Sequence, residues 1–191
     1  MKQGLWMALI VICTSLFFAS VGSMIDDLAS AEPEGIVEHL EKYNHQKTRY
    51  DFPHIGYYAP DLELPNRKGD LVSLDPVEDP QPTLIMFWTS WSDQSKEQIE
   101  KLTRLMGERG DGVRVLFVNS TNSDQEEEAR SMMAKLGVKQ SVLFDRTGDA
   151  SHDYSIKVYP TFLLVGADGK IKDRWHESLD DKEWKQKLSE A

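Results

Sequence analysis

Cysteine is nearly absent: the chain of 191 residues has one, Cys13. It lies within an uncharged apolar stretch, so the rest of the chain can form no internal disulfide and carry no dithiol. Ile12 precedes Cys13 and apolar residues follow it, which reads as a small apolar residue in a lipid-facing helix rather than a lipid-attachment site. Without further thiols a thiolate zinc site is excluded, and His39, His45, His54, His152 and His176 show no zinc-type spacing. Basic residues are outnumbered, 22 Lys and Arg against 32 Asp and Glu, giving a net charge of −10. That balance argues against a phosphate-binding surface and hence against nucleic acid. There is no Gly-rich phosphate loop and no internal repeat. No metal and no cofactor are expected.

What the chain does have begins with a long hydrophobic run. Leu5 to Ile25 carries no charge, and about 20 such residues in a helix span a hydrocarbon core of roughly 30 Å. Lys2 before it favours an N-terminus left in the cytoplasm, with the remainder exported. The run therefore reads as an N-terminal transmembrane signal anchor that makes the membrane contact, residues 5–25, with an extracytoplasmic C-terminal domain. The alternative is a signal peptide cut near Ala31, where Ala29-Ser30-Ala31 is an A-x-A-like site, leaving a secreted protein. Residues 1–25 are thus the leader and residues 26–56 a spacer. Ile36, Val37, Leu40 and Tyr43 recur there at the spacing of a short amphipathic helix.

From residue 57 to 191 the elements alternate as one domain. Leu62-Glu63-Leu64 and Leu71-Val72-Ser73-Leu74 flank Asn66-Arg67-Lys68-Gly69 and predict a hairpin. Leu84 to Trp88 is an unbroken apolar run, the pattern of a strand buried on both faces. A helix follows with Ile99, Leu102, Leu105 and Met106 on one face, expected to close at Gly107 and Gly110. Val113 to Val118 is the next buried strand. Ser123-Asp124-Gln125-Glu126 predicts a capping box opening a helix with Ala129, Met132, Met133 and Leu136 inward, stopped by Gly137. The acidic run Glu126 to Glu128 fits that helix's first turn better than calcium. Val142 to Phe144 is a short strand. Phe162 to Val165 and Ile171 to Trp175 flank Asp168-Gly169, a hairpin turn, and Trp184 and Leu188 belong to a closing helix. A βαβ unit demands a parallel pair with a right-handed crossover, and the hairpin adds antiparallel strands. The expected fold is α/β: a central mixed β-sheet flanked by helices, with an N-terminal β-hairpin extension.

Two local motifs resemble the thioredoxin fold in particular. Phe87-Trp88-Thr89-Ser90-Trp91-Ser92-Asp93-Gln94-Ser95 looks like the F-W-x-x-W-C-x-x-C signature with both cysteines replaced by serine. Tyr154 to Leu164, with Tyr159-Pro160, resembles the segment that ends in a cis-proline before a buried strand. Ala59-Pro60-Asp61-Leu62-Glu63-Leu64-Pro65 resembles the opening of the TlpA/ResA-like and AhpC/TSA-like (redoxin) families of thiol–disulfide oxidoreductases and peroxidases. The likeness spans about residues 57–189.

The resemblance implies a chemistry that these residues cannot perform. In such proteins the first cysteine sits at a helix N-terminus, where partial positive charge and free N–H groups lower its pKa. Its thiolate attacks a disulfide and the second cysteine resolves the mixed disulfide. Here Ser92 and Ser95 hold those places, and a hydroxyl neither ionises like a thiol nor undergoes disulfide exchange. Catalytic residues are therefore not expected. Ser92 reads as a helix cap rather than a nucleophile, having no G-x-S-x-G context. Asp93 suits the first turn of the same helix. The relatives' docking surface implies a groove formed by Trp91, Ser92, Asp93, Tyr159 and Pro160, either kept for a protein or peptide partner or left as a remnant. Three functions stay open at this level: a redox-inactive binding module, family-like oxidoreductase or antioxidant activity, and a structural subunit of an envelope assembly such as cytochrome c maturation.

Overall fold

The computed structural model describes residues 53–75, 80–109 and 112–189. The apolar run at 5–25, the candidate cleavage site and the amphipathic pattern at 36–43 lie outside these residues. Among the described residues no helix is long and apolar enough to cross a membrane.

Among the described residues seven strands and four helices follow in order: β1 (Glu63–Pro65), β2 (Leu71–Ser73), β3 (Thr83–Trp88), α1 (Asp93–Arg109), β4 (Arg114–Asn119), α2 (Glu126–Lys135), β5 (Ser141–Phe144), α3 (Asp149–Asp153), β6 (Thr161–Val165), β7 (Ile171–Trp175) and α4 (Asp181–Lys187). A 3-10 turn at Thr121–Ser123 precedes α2. β1 and β2 pair antiparallel, with Leu64 opposite Val72. The main sheet has the order β5-β4-β3-β6-β7. β4 runs parallel to β3 and to β5, and β6 runs antiparallel to β3 and to β7. The sheet is mixed, with β3 at its centre.

Strand alternation sorts β3 onto two faces. Leu84, Met86 and Trp88 pack with Ile99, Leu102, Ala129, Met133 and Trp184, so α1, α2 and α4 cover one face. Ile85 and Phe87 pack with Leu62, Leu64, Ala150 and Tyr154, so the hairpin and α3 cover the other. Every residue of β3 is buried, which explains its unbroken apolar sequence. Each large side chain fully buried there contributes about 1.5–3 kcal/mol relative to exposure. Phe162 stacks on Trp175 at 5.2 Å and meets Trp184 edge-on at 5.1 Å. The buried amide of Gln98 ties α4 to α1: its Oε1 accepts from Trp184 Nε1 at 2.7 Å and its Nε2 donates to the Leu179 carbonyl at 3.2 Å.

The segment before β1 straps the sheet from below. Gly56 N donates to Ile171 O at 2.7 Å, Ile171 N to Tyr57 O at 2.8 Å and Ala59 N to Gly169 O at 2.9 Å. Past the hairpin's first strand, Asn66 bridges to Leu143 on β5. One short stretch of chain thus touches both outer strands of the sheet.

The close of α1 expected at Gly107 and Gly110 comes at Arg109, directly before Gly110; the helix passes Gly107 because a glycine inside a helix costs only about 0.5–1 kcal/mol relative to alanine. One local expectation needs correction. No capping box forms at Ser123–Glu126. Gln125 is the N-cap of α2 with no side-chain cap bond: Ser123 closes a 3-10 turn with its Oγ on Asn122 Oδ1 at 3.4 Å, and Glu126 is taken by Arg130 and Arg146. The capping box is instead at α4, where Glu183 N donates to Asp180 Oδ1 at 2.8 Å and Asp180 N to Glu183 Oε2 at 2.7 Å. The five-residue α3 has no counterpart in the periodicity. The predicted stop of α2 does form: Gly137 has φ +64°, its N–H meets Ala134 O, and Val138 N meets Met133 O at 3.2 Å, the paired bonds of a Schellman closure.

Candidate functional site

The sharp turn from β3 into α1 brings Thr89 to Ser95 to the carboxyl end of the central strand. Ser92 caps α1. Its Oγ accepts from Ser95 N at 3.2 Å, satisfying one of the free donors of the first turn. The same oxygen donates to the Tyr159 carbonyl at 3.4 Å, a long contact. Ser92 is 8 % exposed. Asp93 opens the helix, exposed, where a carboxylate interacts favourably with the helix dipole.

Ser95 is fully buried, and its Oγ has no hydrogen-bond partner among the described residues. A buried hydroxyl without a partner is costly. This second serine's side chain thus makes no hydrogen bond within the fold.

The peptide between Tyr159 and Pro160 is cis, Pro160 is buried and Tyr159 half-buried. The structure brings this segment, which is distant in sequence, against Ser92 through the carbonyl contact. Arg174 steadies the approach to it, donating to Tyr154 O at 2.8 Å and Ser155 O at 3.0 Å. Ser155 itself has φ +50°. Trp91 completes the group. It is 64 % exposed, its ring meets Tyr159 edge-on at 5.8 Å, and its Nε1 donates to Ser123 O at 3.0 Å. Val158 next to Tyr159 is 49 % exposed. All five expected groove residues, Trp91, Ser92, Asp93, Tyr159 and Pro160, thus lie in or beside one surface, a small apolar patch around a nearly covered hydroxyl. Trp88, by contrast, faces the core.

Trp91 also lines a cleft of about 850 Å³ between α1 and α2, with Lys96, Glu128 and Met132 among its other lining residues. Asp124, at the mouth of this cleft, escaped the sequence reading. Its bonds to Ser90 span 34 residues, and no periodicity signals such a contact. Asn119, fully buried at the end of β4, escaped for the same reason.

The strongly shifted carboxylate among the described residues is Glu126, the first residue of α2. It is lowered to about 2, chiefly by its hydrogen bond to Arg146, with burial opposing and Arg130 adding to the effect. The acidic run at 126–128 is therefore anchored by arginines at its first member. Among the described residues no cluster of three or more potential metal ligands occurs.

The chain is 28 % identical over 134 residues to the thioredoxin-like protein YneN of Bacillus subtilis, covering 70 % of this chain and 78 % of the relative. It is 27 % identical over 138 residues to the thiol:disulfide interchange protein DsbE of Allochromatium vinosum, covering 71 % and 74 %. The structure of a thiol-disulfide oxidoreductase from Bacteroides fragilis superposes with a TM-score of 0.59 at 26 % identity, covering 70 % of this chain and 98 % of that one. The fold is the thioredoxin fold. Residues 55–174 match the AhpC/TSA family, and the chain belongs to that family, with serine at both positions of its C-x-x-C-like motif.

Proposed function

We propose that this protein is a redox-inactive member of its family that holds an extended segment of a partner protein. The segment would dock in the groove of Trp91, Ser92, Asp93, Tyr159 and Pro160, on the outer side of a membrane to which residues 5–25 tether the chain. The observation that carries the reading is the state of the two serines. Ser92 occupies the helix-capping place where a thiolate would be stabilised, yet neither it nor Ser95 can exchange with a disulfide. The apolar surface around it, Trp91 with Val158, supports a docking role, since exposed aromatics beside a fixed backbone suit a peptide.

The test has two arms. Full-length protein carrying a photo-reactive side chain at Tyr159 is irradiated in its native membrane, and adducts are identified. The same protein is assayed for insulin reduction with dithiothreitol as electron donor. A discrete adduct without reduction is expected. Absence of any adduct sinks the docking role, and turnover in the insulin assay sinks the redox-inactive one. The relatives' names favour a second reading, catalytic thiol–disulfide exchange, and the insulin arm decides it. A structural subunit of an envelope assembly would instead co-purify with its assembly from detergent-solubilised membranes.

A further inference from the structure

We propose that Asp124 is the positioning residue of the docking groove, fixing the Ser90–Trp91 turn so that the exposed indole of Trp91 stands in place before a partner arrives. The inference rests on the docking reading above.

The geometry is a double grip between two loops. The Asp124 carboxylate accepts from Ser90 N at 2.5 Å and Ser90 Oγ at 2.6 Å, from Asn119 Nδ2 at 2.7 Å and from Gln125 N at 2.9 Å. Four donors match the acceptor capacity of one carboxylate, and such charge-assisted bonds are about twice as strong as neutral ones. The neighbouring residue on each loop makes the second hold, Trp91 Nε1 to Ser123 O. Two consecutive residues after β4 thereby grasp two consecutive residues after β3. Asn119 stiffens the grip from beneath. Its Oδ1 accepts from Thr121 Oγ1 at 2.9 Å, and its Nδ2 reaches the Trp88 carbonyl at 3.4 Å as well as Asp124.

The consequence falls on Trp91. An indole that is 64 % exposed would ordinarily sample several rotamers. This one is pinned at its N–H by Ser123 and braced at its ring by Tyr159. It both lines the α1–α2 cleft and meets Tyr159 of the groove with its ring. A partner side chain laid against it meets a surface whose ordering cost is already met, which is what preorganisation contributes to affinity. Ser90 is the lever: its backbone N–H and its hydroxyl both end on Asp124, so loss of the carboxylate frees the residue immediately before Trp91.

The experiment compares Asp124→Ala and Asp124→Asn with the unaltered full-length chain. The ¹⁵N–¹H signal of the Trp91 indole is assigned with Trp91→Phe, and its hydrogen exchange is measured well below the melting transition. The photo-adduct at Tyr159 is measured in parallel. Loss of the charged bonds speeds indole exchange about tenfold or more in Asp124→Ala, less in Asp124→Asn, which keeps one acceptor oxygen, and the adduct yield falls in the same order. A residue that only supports the fold would lower the melting temperature and leave native-state indole exchange unchanged; that result overturns the proposal. Faster exchange with an undiminished adduct also overturns it, while leaving the docking reading standing. No adduct from the unaltered chain sinks the docking reading and the role given to Asp124 with it, and indole exchange still decides whether the grip exists.

Discussion

Replacing both serines with cysteine, Ser92→Cys and Ser95→Cys in a Cys13→Ala background, asks how much of a thiol-activating site this fold retains. At position 92 a thiolate would sit where Oγ now accepts the Ser95 N–H at 3.2 Å. A charge at a partly buried helix N-terminus gains up to about 2 kcal/mol, and one pKa unit corresponds to about 1.36 kcal/mol. The gain therefore lowers the thiol by about 1.5 units from its usual value of about 8.5. Burial at this position works against it, as does the carboxylate of Asp93, which solvent screens. A value between about 7 and 8 results, raising the thiolate fraction at neutral pH several-fold above that of a free cysteine. Cysteine at the fully buried position 95 stays protonated, so the pair is asymmetric, one attacking thiol and one resolving. The pH dependence of iodoacetamide alkylation reads the first quantity, and insulin reduction with dithiothreitol reads the outcome. Alkylation titrating at or above about 8.5 refutes the electrostatic argument. Normal activation with no insulin reduction leaves that argument intact and places the loss in the groove.

Two further predictions concern stability. Glu126 is held near 2 by Arg146 and Arg130, so its contribution is fully present above the ordinary carboxylate pKa and is lost as pH falls from about 4.5 towards 2. Because Arg146 is 51 % exposed, solvent screening limits the contribution to about 1–2 kcal/mol. Glu126→Gln should lower stability by that amount at pH 7 and flatten the acid limb of a denaturant-melt series; an unchanged acid limb would show that the arginines do not depress this carboxyl. Ser95→Ala removes a buried hydroxyl that has no partner and should raise the melting temperature by about 2–4 °C, the equivalent of about 1 kcal/mol for a chain of this size. A fall in calorimetric melting temperature would mean the hydroxyl is satisfied after all.

The parts of the fold that were legible in the sequence are those where one physical cause dominates. β3 and β4 were legible because burial on both faces favours unbroken apolar runs, here Leu84 to Trp88 and Val115 to Val118. α1 showed its inward face through Ile99, Leu102 and Leu105. The cap at Ser92 was legible because capping is local, a side chain reaching three residues ahead. Where local signals compete, the reading failed. Ser123-Asp124-Gln125-Glu126 has the letters of a capping box, but Ser123 is drawn into a 3-10 turn and Glu126 gains more from charge-assisted bonds to Arg130 and Arg146 than from one backbone N–H. The true box at Asp180 and Glu183 went unnoticed behind weaker periodicity. α3, Asp149-Ala150-Ser151-His152-Asp153, is too short for any 3.6-residue pattern. It is held from outside by Asp145, whose carboxylate accepts from Gly148 N at 3.0 Å and Ser151 N at 2.8 Å. In the site, Trp91, Ser92, Asp93, Tyr159 and Pro160 could be named from motifs, whereas Asp124 could be found only once two loops had been brought together in space.

The strap beneath the sheet has a mechanical meaning. Tension applied to the chain ahead of Pro53 enters the domain at Gly56 to Ala59, and the first bonds it meets are those to Ile171 and Gly169. These lie at the start of β7, on the opposite strand edge from Asn66 and Leu143. Peeling would therefore begin at the outermost strand, with β6 between it and the turn that carries Ser92. Such an order makes the strap the part of the domain that yields first, ahead of β6 and the turn that carries Ser92.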